Sequence, residues 1–222
     1  MNQSPVLSLR AKGPLACFTR PELKVERVTY PVITPSAARG ILQSVLWKPA
    51  IDWHITRISV LSEIKFTSFR RNEVNSKAST PSRSVIENGG EIRPFFIEDD
   101  RSQRNTIALQ NVDYIIEAFF TMTERAGQSD NLNKFIDMFT RRVEKGQYHL
   151  KPYFGCREFA ADILPAADAP PPIPDSRDLG IMLWDIDYRP EYNRPIFFRA
   201  RLEAGAMTVP DLAGCLEQGG DK

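Results

Sequence analysis

The chain has 222 residues, 42% of them hydrophobic and 26% charged, enough for one good core or a core with a small satellite. No apolar run approaches the roughly 20 residues of a membrane span, and the opening MNQSPVLSLR lacks a signal-peptide core, so a cytoplasmic protein with no membrane partner is expected. The net charge of +1 hides an asymmetry: residues 1–160 hold 23 Lys and Arg against 17 Asp and Glu, and residues 161–222 hold 6 against 11, so the first part favours a polyanionic partner.

In chain order, Val6 to Arg10 reads as a first strand that leads through Gly13-Pro14, with Cys17-Phe18 closing the extended stretch. A basic, proline-broken loop follows, carrying Arg20, Lys24 and Arg27 among Pro21, Glu22 and Glu26. Thr34-Pro35 then opens a helix as N-cap and first helical residue, where the missing proline N–H would be unpaired in any case. Ala38, Ile41, Leu42 and Val45 give that helix one apolar stripe, while Ser36, Arg39 and Gln43 fall opposite, so Arg39 is expected to look outward beside the basic loop. Gly40, unfavourable by roughly 1 kcal/mol in a helix interior, suggests close approach of a packed sheet or of a ligand.

Pro49 ends the helix, and Trp53 to Val60 and Ile64 to Phe69 read as two further strands. Arg70-Arg71 leads into NSKASTPSRS, which is too polar to build a core. It is either an exposed connection or a loop that orders on RNA through Arg70, Arg71, Lys77 and Arg83. Glu98-Asp99-Asp100, followed by Arg101 and Arg104, reads as a solvated turn, and no metal or cofactor site is expected.

Asn111 to Met122 is a strongly apolar strand. Leu132 to Lys145 is the second clear helix, with Phe135, Met138, Phe139 and Val143 inward, Lys134, Asp137 and Arg141 outward, and Gly146 as its stop. The return segment GQYHLKPYFGCREFAADI concentrates Tyr148, His149, Lys151, Tyr153 and Arg157. The expected fold class is α+β: a ferredoxin-like, RRM-like βαββαβ domain over residues 1–163 with an inserted loop or hairpin. A Pro-rich linker spans 164–176 and a small antiparallel β region spans 177–222, with a partly disordered tail from Pro210. Ile181 to Tyr188 and Ile196 to Glu203 pair in that region, Asp185 and Asp187 facing Arg199 and Arg201. Cys17, Cys156 and Cys215 are odd in number and widely spaced, so they read as reduced structural residues.

RNA can be cut without a metal when a base deprotonates the 2′-hydroxyl, a cation stabilises the attacked phosphate and an acid protonates the leaving 5′-oxygen. Of the two histidines, His54 lies on a strand and reads as structural, while His149, beside Tyr148 and Lys151, is the better candidate.

The motifs CFTRPE, KVERV, ITPSAARGIL, WKP, RRNE and GCREF stand in one order across most of residues 6–160, and together they resemble the CRISPR-associated RAMP-superfamily protein of type I-C systems. The resemblance implies an endoribonuclease that cuts the CRISPR repeat transcript at its hairpin without a metal. It also implies that the protein keeps the 5′ handle in a Cascade complex with a large subunit and a backbone subunit, a complex whose further ligand is target DNA. In that family a Tyr on the first helix and a Lys-His pair on the second are implicated; here Leu46 follows Val45, and Lys134 is followed by Phe135. Lys134 therefore carries over as a phosphate-stabilising candidate. Proton transfer falls to Tyr148 and His149 or to another residue such as Tyr30; the alternative is that the chain binds the handle as a non-catalytic scaffold. The RNA contacts expected are Arg20, Lys24, Arg27, Arg39, Arg70, Arg71, Lys77 and Arg141.

Overall fold

The computed structural model describes residues 3–23, 25–77, 79–91, 94–188 and 193–219. The first half forms strand β1 (Leu7–Ala16), the two-residue β2 (Arg27–Val28), helix α1 (Pro35–Val45), strands β3 (Ile51–Val60) and β4 (Phe66–Val74), and the short helix α2 (Arg83–Asn88). The second half forms strand β5 (Arg101–Met122), helix α3 (Leu132–Glu144), strands β6 (Asp162–Leu164), β7 (Arg177–Asp187), β8 (Arg194–Leu202) and β9 (Ala206–Thr208), and helix α4 (Leu212–Gly219).

The main sheet is mostly antiparallel and runs β6-β1-β5-β3-β9, with β2 and β4 also bonded to β5. Strand β5 changes partner along its length: residues 114–122 pair with β3 and residues 101–109 with β4. Asn111 marks the changeover at φ 53, a left-handed conformation that asparagine tolerates better than most residues. Both main helices cover one face. Trp53 and Phe120 are register partners and so share that face. Trp53 meets Phe139 at 5.0 Å and donates from Nε1 to the Leu46 carbonyl at 3.0 Å, while Phe120 meets Phe135 at 6.4 Å. Each such buried side chain contributes about 1.5–3 kcal/mol.

The helix starts are those the sequence specifies. Thr34 Oγ1 accepts from Ala37 N at 3.3 Å, and Asn131 Oδ1 accepts from Lys134 N at 2.9 Å. Other expectations change. Strand β1 continues through Gly13-Pro14 to Ala16, because Gly13 lets the strand pass Ala160 O, which a Cβ would meet at 2.7 Å. Strand β5 begins at Arg101 rather than Asn111, since its polar first half is one side of an extended hairpin with β4. The tail carries helix α4 from Leu212 to Gly219, with Cys215 buried.

In the β7–β8 ribbon the expected facing of Asp185 is corrected. Asp178 pairs with Arg199 at 2.6 Å and with Arg201 at 3.9 Å, while Asp185 turns to Arg39 on α1. Register shifts at Asp178/Gly180 and Leu183/Asp185 are the cause, because each extra residue exchanges the faces of a strand whose period is two.

Gly40 is exposed, and nothing lies within 4 Å of the Cβ it lacks, so it does not serve tight packing against the sheet. Gly155 is the opposite case: at φ +79, an added Cβ would lie 2.0 Å from Cys17 O. Gly40→Ala is therefore expected to stabilise the protein by about 0.5–1 kcal/mol in urea unfolding, and Gly155→Ala to destabilise it by about 2 kcal/mol or more. A lower unfolding midpoint for Gly40→Ala than for the parent would show that the outer face of α1 is covered.

Candidate nucleic-acid interface

The cations of the first half are divided by their partners. Arg20 lies 4.8 Å over the Tyr30 ring and 3.5 Å from Glu22; Lys24 is outside the described residues. Arg27 reaches Cys156 Sγ at 3.0 Å, Glu73 at 3.3 Å and Glu158 at 3.8 Å. Arg71 pairs with Glu158 and, at 2.7 Å, with Glu73, which also takes Arg104 at 3.5 Å. Arg27 and Arg71 are thus brought together at the base of the β4–β5 hairpin, but as members of an ion-pair network. Arg70 is exposed, and Arg27 and Arg70 line a groove of about 460 Å³ with Asn105 and Phe69. Lys77 is exposed farther out, and neither Arg70 nor Lys77 has an ion pair among the described residues.

On α1, Arg39 binds both carboxylate oxygens of Asp185 and separates two cavities. The first, of about 360 Å³, is lined by Thr19, Ser36, Gly40, Tyr153 and Tyr188 among others. The second, of about 510 Å³, holds His54, Gln43, Trp184 and Asp211. His54 stacks on Phe119 at 4.9 Å and lies 3.1 Å from Thr121 Oγ1; burial pushes its pKa below 6.5. Tyr30 is buried, and burial pushes its phenol up, with a hydrogen bond to the Leu183 backbone opposing it. Tyr30 is therefore closed to a solvent-borne chain.

A third region forms where α1 ends. The N–H groups of His149 and Leu150 donate to Ser44 O at 3.0 and 3.4 Å, and Arg142 donates to Val45 O at 2.5 Å. These donors satisfy carbonyls that the last turn of a helix leaves unpaired. They hold Tyr148 and His149 on the outside, both exposed, with Arg141, Lys145 and Lys151 exposed around them in sequence. Lys134 is also exposed, but on the first turn of α3, where it pairs with Asp130 at 2.9 Å; the hydrogen bond from Lys134 holds the Asp130 carboxyl below its usual range. Lys134 stands on the first turn of α3, and the charge of Lys48, just past the end of α1, also acts on the Asp130 carboxylate that Lys134 holds. Leu46 and Phe135 are fully buried.

Among the described residues no three His, Cys, Asp or Glu side chains gather as metal ligands. A family profile described as CRISPR-associated protein (Cas_Cas5) matches residues 6–210. The chain belongs to that family.

The protein named CRISPR pre-crRNA endoribonuclease Cas5d of Mannheimia succiniciproducens is 48% identical over 214 residues, 92% of this chain and 94% of that one. Its namesake from Thermus thermophilus is 40% identical over 222 residues, 92% of this chain and 91% of that one. Among solved structures, a CRISPR-associated protein matches with TM-score 0.69 at 20% identity, over 97% of this chain and 96% of that one. A chain of a CRISPR RNA-guided surveillance complex matches with TM-score 0.53 at 15% identity, over 93% and 92%. These two likenesses show the fold alone.

Within this family member, Trp47 and Lys48, which line a groove with Thr121, Glu124 and Arg125, and Leu150, whose N–H reaches Ser44 O, were not among the sequence-based candidates. Trp47 is 55% exposed and Leu150 63%, although both are large apolar side chains. The signal for Trp47 was the proline at 49, which turns the chain outward as soon as the helix ends. The two histidines give a direct check of the local environments: in proton NMR the His54 resonance should titrate with a midpoint below 6.5 and vanish in His54→Asn. Because folding depresses the His54 pKa, its contribution to stability is full above pH 6.5 and falls as the pH drops through that value. A midpoint at or above 6.5 would contradict the partly desolvated, stacked ring.

Proposed function

We propose that this chain is an endoribonuclease that cuts the CRISPR repeat transcript at its hairpin by metal-independent attack of the 2′-hydroxyl and then keeps the 5′ handle in a type I-C Cascade complex. The observation that carries this reading is the near full-length match, at 48% and 40% identity, to two proteins that bear the name of that activity. A chain of the same fold belongs to a CRISPR RNA-guided surveillance complex, which supports assembly with a large subunit and a backbone subunit. Target DNA is then a ligand of the complex, and the cytoplasm is its place of work.

The strand order β6-β1-β5-β3 with α1 and α3 on one face supports the ferredoxin-like reading of residues 1–163. Residues 164–176 serve as linker. Residues 177–222 form an accessory β unit, whose strand β9 is attached beside β3.

The end of α1 offers what the chemistry asks for. Trp47 and Tyr148 present aromatic faces for stacking unpaired bases, and Lys48, Arg141, Lys145 and Lys151 supply cations. His149 takes the proton of the 2′-hydroxyl, and Tyr148 is the group from which the leaving 5′-oxygen is protonated. Lys134, exposed on the first turn of α3, is the cation that stabilises the attacked phosphate. Arg70, Lys77 and the exposed edge of Arg27 extend the contact along the hairpin arm, while Arg20, Arg39 and Arg71 shape the surface through their partners.

One observation favours a second reading. Leu46 and Phe135, in the places where the family resemblance puts Tyr and His, are both buried in the core, and a chain that only holds the handle would need neither. The two readings separate in EDTA with repeat RNA. Cleavage that leaves a 2′,3′-cyclic phosphate, and is lost when the scissile nucleotide is 2′-deoxy, is expected. His149→Ala should slow the single-turnover rate by about 10²–10⁴-fold with affinity unchanged. Binding without cleavage would establish the scaffold. Lys134→Ala should weaken binding and lower the salt slope by about 0.7, the value of one phosphate contact on a single strand; an unaltered slope would remove Lys134 from the interface.

A further inference from the structure

Cys17 and Cys156 are 139 residues apart in sequence and adjacent in the fold. Cys17 N donates to Phe154 O at 3.1 Å, and Cys156 Sγ lies 3.8 Å from Cys17 O. Gly155 makes the approach possible, since any Cβ there would strike Cys17 O. Arg27 Nη1 donates to Cys156 Sγ at 3.0 Å, while Cys17 Sγ lies 3.6 Å from Thr19 Oγ1 and 3.8 Å from Ile107 O. The Cys17 side chain first and the Arg27 guanidinium next outweigh burial and hold the Cys156 thiol down at about 6. The Cys156 side chain, with burial, pushes Cys17 up. Cys215 has no such setting: burial pushes it up to about 11.

The two sulfurs thus differ in the way a peroxide-reacting pair requires. One is held by a guanidinium at 3.0 Å; the other belongs to the residue whose carbonyl oxygen that sulfur meets at 3.8 Å. Cys156 is 6% exposed, in a turn whose neighbours Gly155, Arg157 and Glu158 are all exposed, so a water-sized oxidant has a short path to it. We propose that Cys156 and Cys17 form a peroxide-sensitive dithiol, in which the Arg27-bound thiolate of Cys156 is the site of oxidation and Cys17 is the resolving thiol.

In the first step the Cys156 thiolate attacks one oxygen of hydrogen peroxide. The S–O bond forms, the O–O bond breaks, hydroxide leaves, and the sulfur becomes a sulfenic acid. In the second step Cys17 sulfur attacks the sulfenic sulfur, the S–O bond breaks, and the departing hydroxide takes the Cys17 proton and leaves as water. One peroxide is reduced and two thiols are oxidised to a disulfide. The disulfide removes the anionic sulfur from Arg27, which keeps Glu73 and Glu158 and lines the groove it shares with Arg70.

The chemistry depends on these three side chains and not on the RNA reading, and its readout needs no RNA. Reduced full-length protein is treated with hydrogen peroxide, unfolded, alkylated and peptide-mapped by mass. The parent and Cys215→Ser should each lose two alkylatable thiols and show a Cys17–Cys156 cross-linked peptide, with a thermal midpoint raised by about 5–10 °C. Cys17→Ser should stop at a sulfenic acid on Cys156 that dimedone traps. Arg27→Gln should oxidise about tenfold more slowly, and Arg27→Lys, which keeps the charge, should recover most of the rate. Circular dichroism of each reduced variant confirms that folded protein is being compared. Three thiols persisting in the parent, a cross-link through Cys215, or equal rates for the parent, Arg27→Gln and Arg27→Lys would each overturn the assignment.

Discussion

Strand β5 hydrogen-bonds to β1, β2, β3 and β4, and the two remaining strands of the main sheet join through β1 and β3. Its 22 residues therefore set the register of the main sheet. The C-terminal half is apolar on its inner face and carries Tyr114, Ile116, Ala118 and Phe120 into the core. The N-terminal half alternates half-buried and exposed side chains and leaves the body as an arm with β4. One left-handed asparagine at 111 lets a single strand do both, turning a core strand into the root of a solvent-facing hairpin without a loop between them.

The root of that arm explains why a basic sequence yields fewer open cations than its charge suggests. Glu73 on β4 and Glu158 on the return segment gather Arg27, Arg71 and Arg104. Arg71 is 17% exposed and Glu73 27%, so these contacts are less screened than surface pairs and act as a network rather than singly. Arg39 is treated likewise: its two bonds to Asp185 tie α1 to the β7–β8 ribbon. Among the described residues, the exposed cations without an ion pair include Arg70 and Lys77 on the arm and Lys48, Arg141, Lys145 and Lys151 near the end of α1.

At the end of α1 stability and function share the same atoms. The carbonyls of Ser44 and Val45 need donors, and the donors that reach them, the His149 and Leu150 amides and the Arg142 side chain, fix the 147–151 segment against the helix. The satisfied helix terminus is thus also the device that displays Tyr148 and His149. The Cys17–Cys156 contact has the same character, since the glycine that lets two backbones touch also brings two sulfurs and a guanidinium together.

Much of this protein is decided by local rules and can be read from its residues. The cap at Thr34, the apolar stripes of α1 and α3, the inward Phe135 and the outward Lys134 follow from periodicity and capping chemistry, which act within one or two turns. The ordered set of motifs carries the family as well. Tertiary structure alone decides which charges meet. Whether Arg39 faces solvent or Asp185, whether Asp178 or Asp185 receives Arg199, and whether Arg27 is free or shared among Cys156, Glu73 and Glu158 depend on bulges and on contacts between residues up to 146 positions apart. The same holds for the adjacency of two cysteines that spacing marks as unrelated. Periodicity assigns a side chain to a face; only the folded chain brings two faces together.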